Sequence, residues 1–363
     1  MTRDDIPTPA LLIDLEAFES NIAKMTWHAA ERRRALRPHA KTHKCPEIAK
    51  RLVAAGAIGA CAAKLGEAEV LAAAGIRGLL VTTAVIGAAK ISRAIELTQL
   101  APDTIFCVDD HDNVRAFNDT AQAAGVVVSL AVDLHFGRTG ITPGEPASAL
   151  ATLIASLPHV QFAGLQAYDA AASHTSPFEA RQARTRKTMA MALETKRLIE
   201  WSGVGCPMLS AGSTGTYEID SNIAGITELQ PGSFVFMDLD YGRIGGPDGR
   251  TYSDFKRALT VLTTVVSRHS TTAIVDGGYK AFSTDRGFPP EPIDLRGATY
   301  SWAGDEHGLV DLAQADRKIK LGDRIEFVPP HCDPTVNLYD RYYVVGGDEV
   351  EDVWDISARG KSQ

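Results

Sequence analysis

From about residue 35 to about residue 240 the chain alternates short apolar or β-branched runs with longer stretches whose apolar positions recur at helical spacing. The runs at Leu36–His39, Ile58–Ala62, Gly78–Thr83, Thr104–Val108, Val126–Asp133, Gln161–Tyr168, Met208–Ala211 and the region from Thr227 to Phe236 read as strands, eight in all. Glu47–Ala55, Leu65–Ala74, Val114–Ala123, Glu145–Ser156 and the long Pro177–Trp201 read as helices between them. Such alternation with short connections implies a parallel sheet, and eight units in roughly 200 residues predict a closed (β/α)8 TIM-like barrel. An open doubly wound sheet is the alternative; neither GxGxxG nor GxxxxGK[ST] is present to support it.

Beyond Tyr252 the pattern changes. Leu259–Ser267, Thr272–Val275, Gly297–Trp302, Arg324–Val328 and Tyr342–Val345 are strand-like, separated by Gly, Pro and Asp turns with little helical periodicity. A C-terminal all-β domain is expected, with the joint near Gly242–Thr251, where YGRIGGPDGRT is rich in glycine and charge. The expected division is an N-terminal segment (1–20) joining the β-domain, a barrel over 21–245 and the β-domain over 246–363.

Composition narrows the partners. A net charge of −8 over 363 residues argues against a general nucleic-acid binder, while leaving room for a local site for a small anion. The first residues carry Arg3, Asp4, Asp5, Asp14 and Glu16 and no continuous apolar stretch, so no secretory signal is read and a cytoplasmic location is expected. The most apolar window, Val70–Ala89, is interrupted by Arg77 and by Gly75, Gly78 and Gly87, and reads as helix, turn and strand rather than a membrane span. Cys45, Cys61, Cys107, Cys206 and Cys332 have no paired spacing and are expected to be reduced thiols.

Candidate chemistry begins at Pro329-Pro330-His331-Cys332-Asp333-Pro334. In an extended segment residues i and i+2 point to one side, so the spacing predicts that His331 and Asp333 reach one cation together at a strand's exit. Two ligands of nitrogen and oxygen type suit Mn, Mg, Zn or Fe, with the remaining positions left to water or substrate. The competing reading is an ordinary surface loop.

Arg37-Pro38-His39-Ala40-Lys41-Thr42-His43-Lys44 ends the first barrel strand, on the face where barrel enzymes keep their active residues. Lys41 there can form an imine, and the surrounding Arg37, His39, His43 and Lys44 are expected to favour its neutral amine by like charge. Ser210-Ala211-Gly212-Ser213-Thr214-Gly215-Thr216-Tyr217-Glu218 follows a late strand, where small residues let backbone N–H groups approach an anion; Gly232 and Ser233 of Gln230-Pro231-Gly232-Ser233 can add further donors. Arg138 could hold an oxygen anion or a ring nitrogen, Gln166 and Tyr168 could line the pocket, and His174 could carry a proton. Asp305, Glu306 and His307 read as a turn between strands. A lysine, a phosphate cradle and a metal pair in one barrel-plus-β chain imply a phosphorylated carbonyl cofactor, and pyridoxal 5′-phosphate (PLP) fits.

These same residues resemble the D-threonine aldolase and D-serine dehydratase family, the metal-dependent branch of the alanine-racemase-like PLP enzymes. The likeness runs from Pro9-Ala10-Leu11-Leu12-Ile13-Asp14 to HCDPTVNLYDRYY at residues 331–343. By it, RPHAKTHK carries the cofactor lysine, Lys41. SAGSTGT resembles the phosphate loop, which makes Ser213, Thr214, Gly215 and Thr216 cofactor contacts with Gly232 and Ser233, and LQAY resembles the pocket strand, with Arg138, Gln166 and Tyr168 as ring contacts. GDEHG at 304–308 resembles part of the family's β-domain. Dehydratases of the family typically show His and Cys at the metal positions and the aldolases His and Asp, so Asp333 points to an aldolase and to Mn or Mg rather than Zn. Two stretches depart from the pattern: Ala167-Tyr168-Asp169-Ala170 stands where the family reads AYHG, and Leu134-His135-Phe136 precedes the GRxG motif.

The resemblance implies a PLP- and metal-dependent carbon–carbon lyase, a homodimer, that cleaves small D-β-hydroxy-α-amino acids of the D-threonine type to glycine and an aldehyde. The alternatives within the family are D-serine or D-threo-3-hydroxyaspartate dehydratase and D-3-hydroxyaspartate aldolase. A PLP-carrier protein would lack the β-domain, and an aldolase using Lys41 directly would lack the cofactor's visible band.

Overall fold

The computed structural model describes Met1–Gln363. Its first strand, β1 (Ala10–Asp14), stands apart from the alternating region; β2 (Ala35–Leu36), β3 (Ala60–Ala62), β4 (Leu79–Val81), β5 (Ile105–Val108), β6 (Val128–Asp133), β7 (Val160–Ala167), β8 (Met208–Ala211) and β9 (Glu228–Leu229) pair in parallel in the order β2-β9-β8-β7-β6-β5-β4-β3. The ring closes just past β2, where His39 bridges Cys61 in parallel register and Cys61 N–H donates to Pro38 O at 2.9 Å. The (β/α)8 barrel expected from the alternation is therefore present. The strand expected from Thr227 to Phe236 shrinks to the two residues of β9, because Pro231 has no N–H for a ladder and Gly232 leads into the helical turn Ser233–Val235.

Neighbouring strands β2 and β9 are locked by a buried ion pair. Arg37, just beyond β2, donates through Nε and Nη2 to the two carboxylate oxygens of Glu228 at 3.0 and 2.9 Å, both side chains being almost fully covered. A planar guanidinium matches a carboxylate bidentately, which is how two charges are tolerated inside the barrel wall.

The C-terminal part is a twisted, mainly antiparallel sheet of β10 (Leu259–Arg268), β11 (Thr272–Val275), β12 (Glu291–Pro292), β13 (Thr299–Trp302), β14 (Gly308–Asp311), β15 (Arg324–Val328), β16 (Arg341–Gly346) and β17 (Glu349–Asp355). Strand β1 enters this sheet, antiparallel to β10 and parallel to β16. Three of these strands are not expected from the sequence: β12 is two residues long and ends on a proline, β14 is short and opens on a glycine, and β17 is a charged edge strand with Glu349, Glu351, Asp352 and Asp355. Asp305, Glu306 and His307 form the turn between β13 and β14, with Glu306 paired to Lys280. All five cysteines are free and buried, and no helix is long and apolar enough to cross a membrane.

One continuous core of 83 buried residues runs through barrel and sheet, so the two parts share their packing. Polar contacts fix the register between them: Asp240 N–H donates to Pro330 O at 3.1 Å, Cys332 N–H to Asp238 Oδ2 at 2.8 Å, and Tyr342 Oη to His43 O at 2.7 Å.

Removing Glu228 leaves the Arg37 guanidinium buried without a counter-charge. Glu228→Ala is expected to lower unfolding free energy by about 3–5 kcal/mol, read as a shift in the urea midpoint; a change below about 1 kcal/mol, the worth of an exposed pair, would mean the pair is solvated.

Candidate functional site

Lys41 follows β2 in the turn that carries His39 into the barrel's closing bridge, and its Nζ donates to Asp333 Oδ2 at 2.7 Å. The ring of positive charge expected around it is absent. Arg37 is neutralised by Glu228, and Lys44 by an ion pair to buried Glu67. Burial keeps the imidazoles uncharged, holding His39 well below its ordinary range and taking His43 down to about 3. The charge of Asp333 instead holds the Lys41 ammonium well above the ordinary lysine range, overcoming the effect of burial. The expectation of a neutral amine is thus corrected: in the protein alone, Lys41 is an ammonium.

Asp333 reaches Lys41 because the chain coils where it was expected to extend. His331 is extended (φ −143°, ψ 125°) and caps a helical turn, Cys332–Val336, in which Asp333 and Pro334 are the second and third residues. Proline is tolerated in a first helical turn, where its missing N–H has no helical partner to lose. His331 and Asp333 therefore leave a cap and a turn rather than one side of a strand. Burial opposes ionisation of Asp333, yet Lys41 beside it holds the carboxyl below the usual carboxylate range. His331 Nδ1 lies 2.8 Å from Asp285 Oδ2 and its N–H donates to Ser283 Oγ at 3.0 Å. A carboxylate on Nδ1 fixes the ring and leaves Nε2 as the free ligand atom, the arrangement of metal-binding histidines. Asp285 sits in Ser283-Thr284-Asp285-Arg286, a loop without periodicity or motif, and carried no signal in the sequence.

Lys41, Arg138, Gln166 and Tyr168 line one cavity of about 340 Å³, together with His39 and Gln230. The Arg138 guanidinium lies 5.7 Å from the Tyr168 ring centroid. Gln166 Nε2 donates to Thr82 O at 3.1 Å, and its buried Oε1 has no partner. Beyond Tyr168 stand the two small-residue loops. Ser213 and Thr216 bond through their hydroxyls at 2.9 Å within the first loop, and Phe234 N–H donates to Thr214 Oγ1 at 3.0 Å, which braces the two loops against each other. The backbone N–H groups of Thr214, Gly215 and Gly232 donate to nothing in the protein. A Cβ at Gly215 would collide with Ser173 O, and one at Gly232 with Thr42 Oγ1, so the backbone is as exposed there as packing allows.

His174 lies on the same side. Its Nδ1 is 3.2 Å from Asp240 Oδ2, which Arg286 Nε approaches to 2.8 Å, and its ring packs 4.7 Å from that of Tyr241. Neither approach to Asp240 has good hydrogen-bond alignment, leaving the three atoms close but unbonded. Burial lowers the His174 pKa, opposed by the charge of Asp240. Asp169 is unavailable for chemistry: Arg184 holds both its oxygens, at 2.8 and 3.0 Å, and it caps the turn Ala170–Ser173 that leads to His174.

A barrel with an amine and an open cavity after its first strand and unused backbone donors in two late loops is the construction of an alanine-racemase-type PLP enzyme. The family profile of the alanine racemase N-terminal domain matches residues 13–240, and that of a serine dehydratase domain matches 258–345. The chain is 39% identical to D-threonine aldolase of Arthrobacter sp over 363 residues and 37% identical to 3-hydroxy-D-aspartate aldolase of Paracoccus denitrificans (strain Pd 1222) over 367, each match covering 99% of this chain and 94% of the relative. D-threo-3-hydroxyaspartate dehydratase of Delftia sp. (strain HT23) is more distant, at 28% over 96% of this chain and 97% of the relative. The crystal structure of D-threonine aldolase from Filomicrobium marinum superposes with a TM-score of 0.94 at 36% identity, covering 99% of this chain and 98% of that one. The chain belongs to the D-threonine aldolase and D-serine dehydratase family of alanine-racemase-like enzymes. That family implies PLP, and the unused amides, the unpartnered Gln166 oxygen and the Lys41 amine fit it.

In the cofactor-free protein, Asp333→Asn removes the charge that holds Lys41 protonated. The pH at which Lys41 becomes neutral is expected to fall toward the ordinary lysine value of about 10.4, measured by the pH dependence of its acylation rate with peptide mapping. An unchanged profile would mean that Asp333 does not govern the amine.

Proposed function

We propose that His331 and Asp333 hold a divalent cation beside the cofactor lysine, and that the chain uses the pair to cleave the Cα–Cβ bond of D-β-hydroxy-α-amino acids of the D-threonine type. The chain is a carbon–carbon lyase of the D-threonine aldolase type, yielding glycine and an aldehyde. The observation that carries the mechanism is the 2.7 Å contact between Lys41 Nζ and Asp333. A substrate amine exchanged into the position of Lys41 would lie beside the His331–Asp333 pair, which supports a cation acting on the substrate's β-hydroxyl. The likeness to aldolases at 37 and 39% identity, against 28% for a dehydratase, favours cleavage between Cα and Cβ.

The residues divide the work. Lys41 would hold the cofactor covalently; Ser213, Thr214, Gly215, Thr216, Gly232 and Ser233 would hold its phosphate, and Arg138, Gln166 and Tyr168 would line its ring. PLP, when bound, supplies the electron sink for the pair left on Cα. Asp285 holds the His331 ring and leaves Nε2 free, so that Nε2 and Asp333 would offer a nitrogen and an oxygen to a cation, a harder pair than His and Cys that favours Mn or Mg over Zn; the cation would supply acidification of the substrate hydroxyl. His174, placed beside Asp240 by the capped turn behind it, would take the hydroxyl proton on Nε2. The O–H electron pair becomes the second bond of the aldehyde, the Cα–Cβ pair stays on Cα, and a proton returned to Cα completes glycine. A homodimer in the cytoplasm, acting on small molecules without nucleic-acid or membrane partners, belongs to the same proposal and rests on the family likeness.

Purified protein with PLP and Mn is expected to convert D-threonine or D-3-hydroxyaspartate to glycine plus an aldehyde. Ammonia plus an oxo acid would instead make it a dehydratase. Lys41→Ala is expected to lose the visible cofactor band and turnover together; a surviving band with borohydride trapping on another lysine would sink the Lys41 assignment.

Asp333→Ala is expected to keep the cofactor band, since Lys41 and the phosphate loops are intact, while cleavage collapses. Chelation should do the same to the wild type, and Mn should restore the chelated wild type but not the variant at equal metal concentration. Full cleavage by a protein shown by metal analysis to be stripped would remove the cation from the mechanism.

A further inference from the structure

The cavity that holds Lys41 has an unused cation. Lys41, Lys64 and Arg138 line it and no carboxylate does. In the function proposed above, on which this inference rests, Lys41 takes the cofactor and Arg138 its ring. Lys64 has neither role. The nearest acid in sequence, Glu67, is engaged elsewhere: one oxygen pairs with Lys44, and the other accepts the N–H groups of Ala63 at 2.7 Å and Lys64 at 3.2 Å. The Lys64 ammonium itself forms no ion pair in the protein, although the fold places it on the cavity wall.

Thr83 stands beside it. Strands β3 and β4 pair with Ala62 opposite Val81, and Lys64 and Thr83 each lie two residues past that pair, leaving adjacent strands at the same level. The preceding residue, Thr82, is occupied, its hydroxyl bonding to His39 at 3.2 Å and Ala62 O at 3.3 Å. Thr83, half-buried and lining the same cavity, has a hydroxyl with no protein partner. An ammonium and a free hydroxyl side by side are a donor pair for a carboxylate. Asp333 belongs to the Lys41 side of the site, together with Asp285 on His331. Both of those carboxylates already have a partner, in Lys41 and His331, whereas the Lys64 wall offers an ammonium without one.

We propose that Lys64, with the Thr83 hydroxyl, is the subsite that binds a carboxylate of the amino-acid substrate. Two substrate groups have this chemistry: the α-carboxylate common to all D-β-hydroxy-α-amino acids, and a β-carboxylate where the side chain is acidic.

The test titrates PLP-loaded wild type, Lys64→Met and Lys64→Arg with glycine, D-aspartate and aminoethanol, following the visible spectrum and the heat of binding. Aminoethanol offers the same amine without a carboxylate. Lys64→Met is expected to bind carboxylate ligands about ten- to a hundredfold more weakly, as for loss of a hydrogen bond between charged groups. It should bind aminoethanol and PLP as the wild type does, and Lys64→Arg should recover most of the loss. Weakening of glycine and D-aspartate alike assigns the α-carboxylate; weakening confined to D-aspartate assigns the β-carboxylate and makes Lys64 the selector for acidic substrates. Equal weakening of all three ligands, or of none, overturns the subsite. A wild type whose spectrum responds to none of the amines overturns the proposed function itself, and the subsite with it.

Discussion

The contact between Lys41 and Asp333 joins the two halves of the molecule at the point where chemistry is proposed. One partner comes from the first barrel strand's exit and the other from the β-domain, 292 residues later. An ammonium and a carboxylate this close stabilise each other's charged forms, and both shifts run in that direction. The same closeness sets a constraint on function. Lys41 can act as a nucleophile only when the charge on Asp333 is met by something else, and a divalent cation on His331 and Asp333 would meet it. Metal binding and release of the lysine from its ion pair are then linked: whatever favours one favours the other.

Around this contact the fold removes competing charge. Arg37 is engaged by Glu228, Lys44 by Glu67, and the two nearby histidines are held neutral by burial. Each of these pairs also does structural work, tying β2 to β9 or the turn after β2 to the helix Leu65–Ala73. The consequence is a site in which one anion, Asp333, dominates the potential at the reactive amine. In low-dielectric surroundings a single uncancelled neighbour outweighs a ring of cancelled ones.

How much of this could be read from the chain depends on the range of the interaction. The barrel was legible because helical and strand periods are local, and Lys41, Arg138, Tyr168 and Ser213–Thr216 were legible because barrel sites follow strand ends. Partners brought in by the fold were not. Glu228 lies 191 positions from Arg37, and Asp285 lies 46 from His331 in a loop of unremarkable composition. The basic run around Lys41 suggested mutual repulsion because its acidic partners, Glu228, Glu67 and Asp333, are distant in sequence. The helical turn at Cys332 was missed for a different reason: two prolines before His331 and one after Asp333 argue for extended chain, and only Pro334's place in a first turn makes the helix compatible with it.

The departure from the family pattern at Ala167-Tyr168-Asp169-Ala170 acquires a physical meaning from the same accounting. Asp169 faces Arg184 and the backbone of the turn it caps, with both oxygens occupied. It therefore holds the turn Ala170–Ser173 in place and contributes no free acid or base. That turn sits against the loop Ser213–Thr216, with Ser173 O where a Cβ on Gly215 would have to go, and it delivers His174 next to Asp240. A change at position 169 alters how the segment is anchored, while the imidazole that can move a proton is placed five residues further on. The anchoring also means that the position of His174 does not depend on a hydrogen bond of its own: the capped turn behind it sets the ring beside Asp240, close enough for alignment to tighten if the imidazole serves as the proposed base.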